Sequence, residues 1–335
     1  MSPDGEALRR QVEAALRPAA AAYGLDAERL RADYVLNWGG FVNHSFRVSD
    51  GARALHVKLS GVAEDQAALA RWRSLRALLE ERYHAPPMLG WLTLPDTPFA
   101  GPVFAALDGH APPRLAAGLL AELAPVLARL HADTGLAAAL DPTGRPRPCR
   151  ATYLGTLHER FTEDLAALMA AAAPPVSAAM LGWLAGEVER LMSTVAGLAA
   201  FDEPAGGPIH GDLWLDNLLA APDGTWWLLD WDDLAVGDPA LDWATLLGYG
   251  TANPRLEPWR GRVPPLPPDG PLAERIDVYI RATVLDWAID PLADHIEADL
   301  APAVADEVRP VKLAWHRAAV ARYAERYAAT APPLS

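Results

Sequence analysis

Residues 209–242 have the sequence IHGDLWLDNLLAAPDGTWWLLDWDDLAVGDPALD, and the rest of the chain can be interpreted outward from it. An H-G-D motif ends at Asp212, Asn217 follows five positions later, and Asp230 closes an apolar run. The short apolar segments on either side of a Pro-Asp-Gly turn predict a β-hairpin. Because a hairpin returns the chain on itself, we expect Asn217 to lie near Asp230.

Two carboxylates and an amide in this order suit the transfer of a phosphoryl group from a nucleotide. Asp212 is the candidate base that orients and deprotonates an acceptor hydroxyl. Asn217 and Asp230 are candidate ligands of Mg²⁺, which prefers oxygen donors and usually keeps some of its waters. Asp232 follows closely, either as a ligand of a second Mg²⁺ or as a solvated acid.

The H-G-D-x4-N spacing, the apolar L-L-D and the following G-D-P-A resemble the catalytic core of the aminoglycoside phosphotransferase / choline kinase-like family. Its members are small-molecule relatives of protein kinases. The resemblance implies a two-lobed α+β protein kinase-like fold, with a sheet-containing nucleotide-binding lobe over residues 1–105 and a mainly helical lobe over 106–335. We expect His210 to brace the catalytic loop and Asp242 to accept backbone N–H groups from it.

The amino-terminal third offers candidates for the nucleotide site. Gly39 and Gly40 lie between two predicted strands and resemble the family's glycine loop, in which the backbone comes close to phosphates. Asn43 and Ser45 continue that motif. Lys58, near the end of the next predicted strand, resembles the lysine that contacts nucleotide phosphates. The alternative is an isolated surface lysine.

The partner of this lysine departs from the family pattern. A glutamate of the following helix should pair with it, but the expected region is Arg71-Trp72-Arg73. We expect Glu64, in the first turn of that helix, to be the partner, with stabilisation of the helix dipole as the alternative. The nucleotide base is expected to meet the backbone near Ala106.

Composition narrows the function classes. The chain has 29 basic and 43 acidic residues and a net charge of −14, which argues against a nucleic-acid partner and favours a cationic one. The single cysteine, Cys149, excludes an intramolecular disulfide and fits a reducing compartment. No long apolar run indicates a membrane span. We therefore expect a cytoplasmic protein without a membrane partner, as a monomer or a homodimer.

The hydrophobic periodicity predicts helices and strands in an order that the same family has. The predicted strands lie near 33–38, 44–49, 54–59, 88–93 and 102–106. The predicted helices lie near 6–23, 62–82, 114–132, 150–172, 176–200, 239–249, 271–289, 292–307 and 309–328.

The acceptor is expected to contact the carboxy-terminal helices, where specificity is usually built in this family. Between Pro271 and Val308 there are nine acids and only two arginines. Asp286 and Asp290 share one helix face beside Trp287 and are the leading pair for the amines of an aminoglycoside. A solvated acidic face is the alternative.

Other substrates remain open at this stage. Trp214, inside the catalytic loop, could contribute to an aromatic cage for choline or ethanolamine, and H-G-D-L-W also resembles fructosamine kinases. Homoserine or a thio-sugar fits the core motif as well. The donor is ATP or GTP, with Mg²⁺. A nucleotide-binding pseudokinase that acts as a scaffold is the alternative from another class.

Overall fold

The computed structural model describes residues 5–35, 43–112, 115–171, 174, 176–250, 266–267 and 269–300. The predicted Gly39-Gly40 loop and the predicted helix 309–328 lie outside these residues. The chain divides into two compact units. Of the described residues, the first unit takes those up to His110, the segment Ala220–Asp232 and the end of the last helix from Glu297. The second unit takes the others.

The first unit is built on a five-stranded antiparallel sheet with the order β1-β2-β3-β5-β4. Its strands are β1 (Arg31–Val35), β2 (Asn43–Ser49), β3 (Ala54–Ser60), β4 (Met88–Thr93) and β5 (Ala100–Ala105). All five were predicted from the sequence, with bounds that differ by a few residues.

Two helices belong to this sheet. Helix α1 (Gly5–Leu16) runs into a 3₁₀ turn and contributes its buried apolar residues to the same core as Leu55, Val57 and Leu59 of β3. Because side chains alternate along a strand, His56 and Lys58 lie on the opposite face. Helix α2 (Ala63–Tyr83) packs against β5, where Trp72 contacts the Phe104 ring at 4.8 Å between centroids.

The second unit is mainly helical. Its helices are α3 (Ala117–His131), α4 (Thr134–Leu140), α5 (Cys149–Tyr153), α6 (Glu159–Ala170), α7 (Ala178–Gly197), α8 (Pro239–Gly250) and α9 (Pro271–Leu300). A π-helical turn, Leu154–His158, joins α5 to α6, so the predicted helix 150–172 is one helical run. Helix α4 was not predicted, although Asp133 caps it by accepting the N–H of Leu136 at 2.9 Å.

Helix α9 corrects the sequence prediction. Two helices were predicted near 271–289 and 292–307, but a single helix runs from Pro271 to Leu300 and passes through Pro291. An internal proline removes one helical hydrogen bond and costs about 3 kcal/mol. The residues on both sides of it, Ile289, Leu292 and Ala293, are buried. Tertiary packing therefore keeps the helix continuous.

Six short strands of the described part of the chain lie in and around the motif segment. They are β6 (Arg147–Pro148), β7 (Pro204–Ala205), β8 (Gly207–Ile209), β9 (Leu218–Ala220), β10 (Trp226–Leu228) and β11 (Ala235–Gly237). Strands β9 and β10 form the predicted hairpin, and the N–H of Ala221 donates to the carbonyl of Thr225 across its turn. Strand β8 pairs antiparallel with β11. None of the described helices has a stretch long and apolar enough to span a bilayer.

Candidate active site

The loop between β8 and β9, which we call the catalytic loop, begins at a backbone position that only glycine can occupy. Gly211 has a φ of +90°, a region that L side chains rarely adopt. A Cβ on Gly211 would also lie 2.5 Å from the backbone oxygen of Asp233. The chain can therefore make the sharp turn before Asp212 only without a side chain at 211.

Asp242, in the first turn of α8, fixes the start of this loop. Its carboxylate accepts the backbone N–H groups of His210 and Gly211, both at 2.9 Å. His131, at the end of α3, places its Nε2 2.9 Å from the same carboxylate. Burial alone would raise the pKa of Asp242, but the hydrogen bond and charge of His131 and the loop contacts outweigh it, so the pKa is lowered.

His131 was missed as a member of this network. It was not among the candidate site residues, because a histidine at the end of a helix gives no sign of a partner 111 positions away. Its hydrogen bond links α3 to α8 through the Asp242 carboxylate. His210, which is fully buried, completes the network through its backbone, and its Nδ1 lies 3.4 Å from the N–H of Asp212.

Asp212 and Asn217 contact each other directly. The Nδ2 of Asn217 donates to the backbone oxygen of Asp212 at 2.8 Å and to its Oδ2 at 2.9 Å. These two bonds fix the plane of the carboxamide. Since Nδ2 faces Asp212, the side-chain oxygen Oδ1 of Asn217 points the other way and is the atom with the chemistry of a metal ligand.

A second cluster lies in the first unit, around Lys58. Its Nζ forms ion pairs with Asp230 and with Asp232, the latter at 2.8 Å. Burial alone would lower the pKa of Lys58, but the two carboxylates raise it, so the ammonium stays charged. Burial, followed by the charge of Asp230, raises the pKa of Asp232 to about 7 although Lys58 opposes the shift.

These ion pairs correct the expected partner of the lysine. Glu64 was expected to hold Lys58, but the carboxylates that do so follow β10. In the first turn of α2 it is Asp65, next to Glu64, that has a defined role, since it accepts the hydroxyl of Ser60 at 2.8 Å. Arg71, at the position where the family pattern has an acid, donates to the backbone oxygen of Asp232 at 2.7 Å.

Asp230 has a left-handed backbone, with a φ of +62°. Aspartate tolerates this conformation better than most residues, but it still costs free energy and is concentrated at functional positions. The carboxylate already faces one cation, the ammonium of Lys58.

The described residues contain no cluster of three or more His, Cys, Asp or Glu side chains able to hold a metal. Mg²⁺ needs fewer, because nucleotide phosphates and waters complete its shell.

The remaining candidates of the nucleotide site occupy defined sheet positions. Ser45 of β2 pairs in register with Lys58, and Asn43 pairs with Ser60. The Oδ1 of Asn43 is buried and accepts no hydrogen bond from the described residues. The N–H of Ala106 donates to the carbonyl of Ala54 at 3.3 Å, so a base contact at Ala106 would use another backbone group.

The acceptor candidates differ from the expected acidic face. Asp286 is buried, with 4% exposure, and its Oδ2 accepts from Arg160 at 2.5 Å. Arg160 comes from α6 and was not predicted, because it lies 126 positions from Asp286 in the sequence. Trp287, the neighbour of Asp286, contacts the ring of Trp214 at 5.2 Å between centroids. The pair predicted to bind the amines of the acceptor is therefore partly neutralised.

Comparison with known proteins identifies the family. The model of the phosphotransferase enzyme family matches residues 33–265, which contain both clusters. The chain belongs to this family. The match includes the H-G-D-x4-N sequence of the catalytic loop, on which the resemblance to this family rested. The sequence has no significant match among curated proteins.

Solved structures show the same fold for this phosphotransferase. Spectinomycin phosphotransferase in complex with ADP and spectinomycin is 14% identical, with a TM-score of 0.61 over 92% of this chain and 94% of that one. A variant of aminoglycoside 2′-phosphotransferase in its GDP complex is 16% identical, with a TM-score of 0.58 over 96% and 97%. A choline kinase from Streptococcus pneumoniae is 14% identical, with a TM-score of 0.55 over 93% and 99%. The protein kinase-like fold is thus confirmed.

Proposed function

We propose that this phosphotransferase moves the terminal phosphoryl group of Mg-bound ATP or GTP to a hydroxyl of a small, cationic acceptor such as an aminoglycoside. The observation that carries the proposal is the contact between Asp212 and Asn217 on a loop that Asp242 holds in place. A carboxylate fixed by a neighbouring amide is what a positioned base requires.

Each candidate residue has a role in this reaction. Asp212 orients the acceptor hydroxyl and takes its proton late, because an aspartate has a low ordinary pKa. The Oδ1 of Asn217 and the carboxylate of Asp230 would ligate Mg²⁺. The Mg-nucleotide supplies the phosphoryl group and spreads its developing charge. Lys58, which pairs with Asp230, would contact the phosphates.

The choice of donor and acceptor has separate support. Two of the solved neighbours are complexes with ADP or GDP, which favours a nucleoside triphosphate donor. Arg160 pairs with Asp286, and the charges of Asp290 and Asp212 also act on its guanidinium. The excess of carboxylates favours an amine as part of the acceptor. A cytoplasmic location, where ATP and GTP are available, belongs to the same proposal.

The test is Mg-dependent release of ADP or GDP, measured with a panel of aminoglycosides, choline, ethanolamine, homoserine and glycated amines. We expect at least one aminated alcohol to stimulate release, and Asp212→Asn to remove the stimulation without loss of nucleotide binding. Nucleotide binding without stimulation by any member of the panel would instead favour the scaffold function.

A further inference from the structure

Arg160 is a charged residue near the catalytic loop to which the proposed reaction gives no role. It lies in the first turn of α6, two residues after the π-helical turn Leu154–His158. Short π-helical insertions re-aim the side chains around them and are frequent at functional sites. The side chain of Arg160 is 44% exposed, whereas that of its partner Asp286 is almost fully buried.

A short chain of contacts within the second unit connects Arg160 to the catalytic loop. Arg160 donates to Asp286, the neighbouring Trp287 packs against Trp214, and Trp214 follows Asp212 by two positions. The charges of Asp286, Asp290 and Asp212 raise the pKa of Arg160, although burial acts against them. The guanidinium is therefore charged and within electrostatic range of the candidate base.

Both partners of the ion pair keep hydrogen-bonding atoms that the ion pair does not use. A guanidinium has five N–H donors, and the hydrogen bond to Asp286 uses only the NH2 nitrogen. On Asp286, Oδ2 accepts this bond, while Oδ1 is buried and has no hydrogen-bond donor among the described residues. A buried carboxylate oxygen without a donor is costly, so a ligand that brings a donor to it gains affinity.

We propose that Arg160 and Asp286 together form a bipolar acceptor subsite, in which the remaining guanidinium edge of Arg160 binds a carboxylate of the acceptor. This inference rests on the proposed phosphoryl transfer and replaces the aminoglycoside as its acceptor with a small hydroxylated amine that also carries a carboxylate. The guanidinium fork matches the two oxygens of a carboxylate. The carboxylates around Arg160 bind the ammonium group of the same acceptor.

Matched acceptors that differ only by a carboxylate test the subsite. 3-Amino-1-propanol and homoserine form one pair, and ethanolamine and serine form another. We expect wild-type kcat/KM to favour the carboxylated member of at least one pair by about 10–100-fold, the range of a charge-assisted bidentate contact. Arg160→Ala should remove this preference by lowering kcat/KM for the carboxylated member selectively, and Arg160→Lys should restore part of it.

Arg150→Ala is the matched control, because Arg150 lies in the same helical run and also pairs with an aspartate, Asp202. It should keep the preference. The proposal is overturned if wild type prefers the uncarboxylated members, or if neither pair is phosphorylated while Mg-nucleotide still binds. An equal loss of kcat/KM for both members of a pair in Arg160→Ala would also overturn the proposal. Arg160 would then act on the transferred phosphoryl group or only hold Asp286 in place, and would not bind the carboxylate of the acceptor. Failure to bind Mg-nucleotide would contradict the proposed function as well.

Discussion

Asp212 owes its position to other side chains of the candidate site. Asn217 holds its carboxylate, and Asp242 holds the two residues before it. Asp242 in turn contacts His131. A substitution that changes only the carboxylate should therefore leave the loop intact and isolate its chemical role.

Asp212→Asn should lower kcat by about 10²–10⁴, because a positioned base is lost. The affinity for Mg-nucleotide and the thermal stability should stay close to wild type. Single-turnover kinetics and calorimetry measure these quantities. A variant with near-normal kcat would show that Asp212 is not the base.

Asp230→Ala should weaken Mg-dependent nucleotide binding more than Asn217→Ala, since a carboxylate contributes charge as well as an oxygen. Calorimetric titrations with and without Mg²⁺ measure the difference. If Asp230→Ala keeps its metal dependence, the ligand assignment is wrong. Asp232→Ala removes the other partner of Lys58 and controls for loss of that ion pair.

Gly211→Ala should destabilise the fold more than Gly224→Ala. Both glycines have a φ of +90°, but a Cβ at 224 meets no atom within 4 Å, whereas one at 211 collides with the backbone of Asp233. The φ penalty alone is about 1–3 kcal/mol, and only Gly211→Ala adds a steric cost. Urea denaturation of the two variants compares them. Equal losses would mean that the neighbouring backbone yields without cost.

The sequence revealed the carboxylates of the site but not all of their partners. Asp212, Asn217 and Asp230 occur in a short motif with fixed spacing, so a role for each could be predicted from the sequence. Arg160 and His131 have no local signal, because each reaches its partner only through tertiary packing. Glu64 was chosen by helix position, whereas Lys58 contacts carboxylates more than 170 positions away.

At the scale of elements, regular alternation made the sheet predictable. The two faces of β3 differ in polarity, and its bounds followed from that pattern. Helices were harder to delimit. A proline normally predicts a break, yet α9 passes through Pro291 because buried residues flank it. Helix α4 is only seven residues long, too short for its periodicity to be recognised.

The polar face of β3 should make stability depend on pH. Burial, and then the charge of Lys58, lower the pKa of His56 from 6.5 to about 4. The unfolded chain therefore takes up a proton first as the pH falls, and the folded state loses up to about 3 kcal/mol between pH 6.5 and 4. His56→Gln should remove this part of the pH dependence in urea denaturation, whereas His110→Gln, at an exposed position, should retain it.

For the whole molecule, the net charge of −14 should act on association with the acceptor. Attraction between exposed charges is screened over about 8–10 Å at physiological salt. KM for a cationic acceptor should therefore rise with ionic strength while kcat changes less. Asp290→Asn should flatten this dependence. A KM that is insensitive to salt would locate recognition in short-range contacts such as those of Trp214.

The shared carboxylate of Asp242 also bears on how the molecule folds. Its three contacts close loops of 31, 32 and 111 residues. Contacts between residues so far apart carry a loop-closure entropy that other interactions must offset. We therefore expect the catalytic loop to assemble late, after α3 and α8 have docked. During refolding, the recovery of activity should lag behind the recovery of helical circular dichroism, so that catalysis reports on completion of the native state.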